Sequence, residues 1–168
     1  MMTNTNEKFF ENDDFVLFKS DYPSQWYPSE FIESGIKFNC CEQFMMYKKA
    51  IVFNDIETAE LILAESDPKR IKELGRLVKN FDVSIWDKIA DDIVFTGNLL
   101  KFSQNPELRQ KLMATGNKEF VECASYDKIW GNGLNITDTL KTPKSEWLGT
   151  NRLGKAIMRA RDTIRWWV

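Results

Sequence analysis

The sequence predicts a mainly α fold: a single compact multihelical domain with a small β-hairpin near its N-terminus. Three observations carry that prediction. Beyond residue 39, apolar residues recur at the three- and four-residue spacing of one helical face. The breaks between those stretches are helix punctuation: Ser66-Asp67-Pro68, Asn105-Pro106 and Thr115-Gly116. The strand-like runs are short and lie mostly before residue 40. At 168 residues, 43% hydrophobic and 29% charged, without internal repeat, low-complexity tract or linker-like stretch, the chain reads as one globular domain.

Residues 1–12 are polar and are expected to form a flexible segment ahead of a domain over 13–168. Phe15-Val16-Leu17-Phe18 reads as a strand. Glu30–Glu33 and Ile36–Asn39 read as the arms of a hairpin, with Ser34-Gly35 as its tight turn. Asn39 is the expected N-cap of a helix running to about Phe53, and Glu42 falls three residues later, where a capping box places its acid. Phe44, Tyr47 and Ile51 form the apolar stripe of that helix. Ala59, Ile62 and Leu63 mark a second helix. Asp67 as N-cap, with Pro68 at the first helical position, starts a third through Ile71, Leu74 and Val78. Ser84 is the expected cap of a longer helix, on which Trp86, Ile89, Ala90, Ile93, Val94 and Leu100 keep helical spacing. Asn105-Pro106 starts another, which Thr115-Gly116 ends. Phe120–Ala124 fits either a strand or a resumed helix. Leu153, Ile157, Ala160 and Ile164 mark a last, cationic amphipathic helix.

Composition excludes several classes of function. A net charge of −2 gives no broad footprint for sequence-independent nucleic-acid binding. No apolar run approaches a membrane span, and the first residues lack a signal-peptide pattern, so a cytoplasmic protein is expected. Cys40, Cys41 and Cys123 show neither zinc spacing nor a disulfide framework and suit small buried thiols. The chain contains no histidine, which removes Ser-His-Asp and Cys-His machinery and HExxH zinc sites. Protons in any reaction must then move through Asp, Glu, Lys, Tyr or water. No phosphate loop of standard spacing follows a strand. Neither a metal nor a cofactor is expected.

Half of the eight glycines fall in Asp127-Lys128-Ile129-Trp130-Gly131-Asn132-Gly133 and Glu146-Trp147-Leu148-Gly149-Thr150-Asn151-Arg152-Leu153-Gly154. Glycines such as Gly131, set between tryptophans and beside Asp127 and Asn151, suit close approach to a ligand, and equally an ordered loop that covers the core. Backbone N–H groups at the start of the helix that follows are candidates to hold an anion. Glu42 has two readings, cap or pocket carboxylate, and Lys49 lies two turns along the same face. Gly75-Arg76 puts a glycine inside a helical pattern, a hint of close packing, beside a guanidinium that suits phosphate or a ribose diol. Trp86 and Trp130 suit base stacking or the core. Glu122 belongs to a pocket or points outward from a strand.

Together these segments resemble the NADAR family, also called YbiA-like. The resemblance is carried by Trp26-Tyr27-Pro28-Ser29, Asn39-Cys40-Cys41-Glu42-Gln43-Phe44-Met45-Met46 with Lys48-Lys49-Ala50, Leu74-Gly75-Arg76, Phe81-Asp82 and Trp86. It continues through Lys101-Phe102, Leu112-Met113-Ala114-Thr115-Gly116, Val121-Glu122, the two Gly/Trp runs, Met158 and Arg161, covering roughly residues 15–165. Gln25 stands where the family often has Asn, and Glu30 where proline is common.

The resemblance implies a helix-rich fold and an N-glycosidase. It implies either hydrolysis of the base–ribose bond of early riboflavin-pathway intermediates, which carry ribose 5-phosphate, or removal of ADP-ribose from guanine in nucleic acid. A module that binds NAD or ADP-ribose without cleaving it is the third possibility. By position, Glu42 and Asp127 become the catalytic carboxylates. Lys49, Arg76, Trp86, Glu122, Trp130, Gly131 and Asn151 become substrate contacts. The partner is then a small phosphorylated ribosyl compound, with nucleic acid involved only under the second activity. The sequence does not specify an oligomeric state.

Overall fold

Strand segments far apart in the sequence share one sheet. The computed structural model describes residues 7–167, in two compact units: one runs up to Ser24 and resumes at Gln110, the other is Gln25–Arg109.

In the first unit, β1 (Phe9–Glu11) pairs antiparallel with β2 (Phe15–Phe18), and β2 pairs in parallel with β5 (Glu119–Glu122), Phe15 standing opposite Glu119 and Phe18 opposite Glu122. Asn12 makes the β1–β2 turn, its Oδ1 accepting the N–H groups of Asp14 and Phe15. The flexible segment expected over 1–12 is therefore corrected at Phe9–Glu11, which the ladder to β2 orders; residues 1–6 lie outside the described residues. Leu17, Val121, Cys123 and Ile136 form the buried centre, with Phe10, Phe15 and Trp147 against it. The helices are α6 (Ile136–Lys141) and α7 (Arg152–Arg165), and α7 buries the predicted stripe Leu153, Ile157, Ala160 and Ile164.

The second unit carries the predicted hairpin as β3 (Phe31–Glu33) and β4 (Ile36–Phe38). Its turn places Ser34 at φ 51° and Gly35 at φ 79°, the left-handed pair that matches strand twist. The helices are α1 (Cys41–Val52), α2 (Ile56–Ala64), α3 (Pro68–Gly75) and α4 (Val83–Gln104). Phe31, Phe38, Cys41 and Phe44 make its core, flanked by Tyr47, Leu63, Ile93 and Leu100. The division falls within α5 (Pro106–Ala114).

Asp67 caps α3 as expected, accepting the Lys69 N–H. Elsewhere the caps differ from expectation. Asp82, not Ser84, caps α4, because its carboxylate accepts both the N–H and the hydroxyl of Ser84. Helix α3 stops at Gly75, so Val78 lies beyond it. The Ile51 end of the α1 stripe is exposed; the buried face instead carries Cys41, Glu42, Gln43, Phe44, Met45, Met46 and Ala50.

Candidate active site

The first turn of α1 buries a carboxylate, leaving Glu42 7% exposed. The capping box expected there is displaced by one residue. Cys40 occupies the cap position without a side-chain bond, so the third helical residue is Gln43 rather than Glu42. Gln43 closes the helix start in its place. Its Oε1 accepts the Asn39 N–H at 2.7 Å, while Nε2 donates to the carbonyls of Ile62 at 3.1 Å and Glu65 at 3.0 Å. The Glu42 backbone N–H donates to the Gln25 carbonyl at 3.0 Å.

Two turns along, Lys49 is half-buried with Nζ 4.4 Å from the Phe81 ring. Burial pushes its pKa below the usual lysine range; the Glu42 charge opposes that shift and the Arg76 charge adds to it. Glu42, Lys49 and Arg76 thus lie within electrostatic reach. Arg76 is the exposed C-cap of α3, and the interior position expected for the Gly75-Arg76 pair becomes a helix end. Gly75 packs closely on α1: a Cβ there would stand 2.0 Å from the Met46 sulfur, so that side chain would have to move. Trp86, on the first turn of α4, is 7% exposed.

The candidates in the other unit bond mainly to backbone. Asp127 Oδ1 accepts the N–H groups of Ile129 and Trp130, each at 2.9 Å. Asn151, at φ 50°, accepts the Glu122 N–H at 3.0 Å and donates to the Phe120 carbonyl at 2.9 Å, tying α7 to the end of β5. The Trp130 ring is half-buried with the Arg152 guanidinium 4.5 Å from its centre. A Cβ on Gly131 would meet the Glu122 carbonyl at 2.9 Å, and one on Gly149 would meet the Gly131 carbonyl at 2.4 Å. Of the two readings of these glycines, the loop's own close packing is the one their surroundings explain. The anion site expected at the start of α7 is corrected too: the Arg152 and Leu153 N–H groups donate to the carbonyls of Ile129 and Trp130. Further along α7, Lys155 and Arg159 line a shallow groove of about 460 Å³ with Trp166.

One residue escaped the sequence reading as a site group. Lys101 on α4 is 0% exposed, with Nζ 5.7 Å from the Tyr27 ring and 5.1 Å from the Phe102 ring. Burial lowers its pKa. The Cys40 and Cys41 thiols feel both its charge and that of Glu42, and burial drives Cys41 up to about 12. The signal was present: Lys101 continues the buried positions Ala90, Val94 and Gly97 at helical spacing. All three cysteines are free and buried, as their spacing suggested. Among the described residues, no helix is long and apolar enough to cross a membrane.

The NADAR domain matches residues 8–165. An N-glycosidase of Acanthamoeba polyphaga mimivirus is 46% identical over 144 residues, covering 83% of this chain and 85% of that protein. A riboflavin biosynthesis protein of Vibrio vulnificus is 26% identical over 157 residues, 94% of this chain but 38% of that longer protein. The solution structure of Escherichia coli YbiA superposes with a TM-score of 0.74 at 23% identity, over 96% of this chain and 90% of that one, and so shares the fold. From Lys8 to Arg165, across both units, the chain belongs to the NADAR family.

Proposed function

We propose that this chain is an N-glycosidase that hydrolyses the bond between ribose phosphate and a base-like amine, with early riboflavin-pathway intermediates as substrates. The observation that carries the reading is the buried Glu42 carboxylate with Lys49 and Arg76 in electrostatic reach. The mimivirus relative's name supports the bond class, and that of the Vibrio relative supports the pathway.

The chemistry suits these groups. As the bond from C1′ to nitrogen breaks, its electron pair leaves with the nitrogen and positive charge develops on C1′ and the ring oxygen. Glu42 offsets that charge electrostatically. Water adds its oxygen to C1′ and loses a proton, and the departing nitrogen gains one; the products are ribose phosphate and the free amine. We assign Asp127 to the second carboxylate, without fixing which of the two is acid or base. Lys49 and Arg76 bind phosphate or ribose oxygens, a guanidinium fork and an ammonium being the residue types suited to it. Trp86 and Trp130 contact the base; Glu122, Gly131 and Asn151 shape the site. We place the reaction in the cytoplasm, where three free thiols persist.

Separate incubation with a riboflavin-pathway ribosylamine phosphate and with ADP-ribosylated DNA tests the reading. Release of base and ribose phosphate from the first is expected. Release of ADP-ribose from the DNA alone would move the substrate to a guanine adduct. Saturable binding of ADP-ribose without turnover of either substrate would make the chain a binding module.

A further inference from the structure

Asn98 is 0% exposed on α4, and its Oδ1 is buried without a hydrogen-bond partner among the described residues. An unpaired buried acceptor carries its full desolvation cost, which an apolar side chain there would avoid. What the amide gains lies on its nitrogen. Nδ2 donates twice, to the Val94 carbonyl and to Gln25 Oε1, each at 2.9 Å. A backbone carbonyl only accepts, so Val94 fixes which end of the Asn98 amide is nitrogen. Asn98 in turn fixes Gln25, whose oxygen must face it, leaving the two Nε2 donors turned elsewhere. Among the described residues no protein group accepts from Nε2. Gln25 is half-buried, and Nε2 is not sealed from solvent.

This oriented donor belongs to a residue bonded to the candidate carboxylate's own backbone. The Gln25 carbonyl accepts the Glu42 N–H at 3.0 Å. Helix α4 presses on α1 close by: a Cβ on Gly97 would stand 2.9 Å from the Phe44 ring, two residues beyond Glu42. We propose that Gln25 Nε2 is a substrate contact that selects ribose, donating to the 2′-oxygen of the sugar. The assignment rests on Glu42 being the carboxylate that serves C1′. The 2′-oxygen sits on the carbon next to C1′, so it falls to the residue hydrogen-bonded to Glu42. Chemistry divides the donors in the same way. The charged Lys49 and Arg76 suit phosphate, whereas a neutral amide suits a neutral hydroxyl oxygen. A hydrogen bond at this oxygen also strengthens as the glycosidic bond breaks, so it serves rate as well as binding.

Gln25→Met and Gln25→Glu in the full chain test the contact, with a riboflavin-pathway ribosylamine phosphate and its 2′-deoxy analogue as substrates. Gln25→Met removes the donor and the tie to Asn98. Gln25→Glu keeps an oxygen for Asn98 and the backbone bond to Glu42, and replaces only the donor. The readout is kcat/KM for the ribosyl substrate divided by that for the deoxy analogue. This ratio should fall about three- to tenfold in both variants, the range of one neutral hydrogen bond. The intrinsic lability of the deoxy bond cancels in the comparison with wild type, as does any change at Glu42 that both substrates meet. Should Gln25→Met not fold, Gln25→Glu carries the comparison. Equal loss on both substrates would make Gln25 a structural tie and overturn the assignment. A second measurement needs neither turnover nor a variant: the Gln25 side-chain amide resonances of wild type, followed by NMR. They should shift with ribose 5-phosphate and far less with 2-deoxyribose 5-phosphate; a response that ignores the 2-hydroxyl overturns the contact. Failure of wild type to cleave the ribosyl substrate counts against the glycosidase reading, and the resonances still decide this one.

Discussion

Residues 25–109 and the unit formed by the rest of the chain use polar side chains in opposite ways. In 25–109, the candidate groups cluster: Lys49 feels the charges of both Glu42 and Arg76, and Lys101 shares the neighbourhood of Cys40 and Cys41 with Glu42. In the other unit they face backbone: Asp127 ties Ile129 and Trp130, Asn151 ties Phe120 and Glu122, and Gly131 packs on carbonyls. The candidate residues therefore divide into two sets with different roles. Substitutions in the first set should change reaction and spare the fold; those in the second should lower stability as well.

The largest expected effect breaks the second set. A Cβ on Gly154 would stand 2.1 Å from the Phe120 carbonyl and 2.4 Å from the Asn151 amide. Backbone cannot yield as a side-chain tip does, so Gly154→Ala should cost on the order of 3 kcal/mol. Thermal denaturation should show Tm lower by roughly 6–12 °C. A Tm within about two degrees of wild type would mean that α7 shifts freely against β5.

Asp127 stands on the border between the two sets and sharpens it. Asp127→Ala loses two hydrogen bonds to a carboxylate and should cost about 2 kcal/mol, read by chemical denaturation. Asp127→Asn keeps an acceptor for both N–H groups and should keep most of that stability. Its kcat should nevertheless fall about 100-fold if the carboxylate moves a proton. Normal kcat in Asp127→Asn would reduce Asp127 to a loop tie.

The same contrast explains what was legible beforehand. Helices were readable because spacing and punctuation are local: Asp67-Pro68 and the Leu153–Ile164 stripe stand where the pattern put them. The parallel pairing of β2 with β5 was not, because nothing in Phe15–Phe18 encodes a register with Glu119–Glu122. The start of α1 slipped by one residue because its cap, Cys40, offers no capping oxygen. That slip matters, since it gives the reciprocal bond to Gln43 and not to Glu42. Glycines beside tryptophans signalled an ordered loop, but their spacing does not distinguish packing on a carbonyl from approach to a ligand. Lys101 was passed over as a site group because a lysine on a helix reads as surface, even on a buried stripe.

Arg76 gives a smaller, substrate-dependent effect. A charge-assisted bond is worth roughly 1.5–3 kcal/mol. Arg76→Ala should therefore lower kcat/KM about 10- to 100-fold for a phosphorylated substrate and far less for its dephosphorylated nucleoside. Arg76→Lys should recover part of the loss if a point charge suffices and little if the fork matters. Equal loss on both substrates would remove the phosphate assignment.

The smallest effect lies in pH. Burial holds the folded Lys49 below the usual lysine range, so its proton leaves first in the folded state. Between the folded and unfolded pKa values the unfolded chain binds more protons, and stability rises with pH across that window. Lys49→Met should remove that rise. If the ammonium binds substrate, the alkaline limb of kcat/KM should begin below about 10.4. Arg76→Ala should raise that limb by removing a like charge, and a limb that stays fixed would separate Lys49 from Arg76.

The central claim, that Glu42 is buried for chemistry and not for capping, is tested most directly by Glu42→Gln. Gln retains a side-chain acceptor, removes the charge, and leaves the Gln43–Asn39 bond that holds the helix start. Turnover of the ribosylamine phosphate and Tm should be measured on the same preparation. The expected result is Tm close to wild type with kcat lower by at least about 100-fold. A Tm several degrees lower with normal kcat would contradict the account and return Glu42 to the structural side of the comparison.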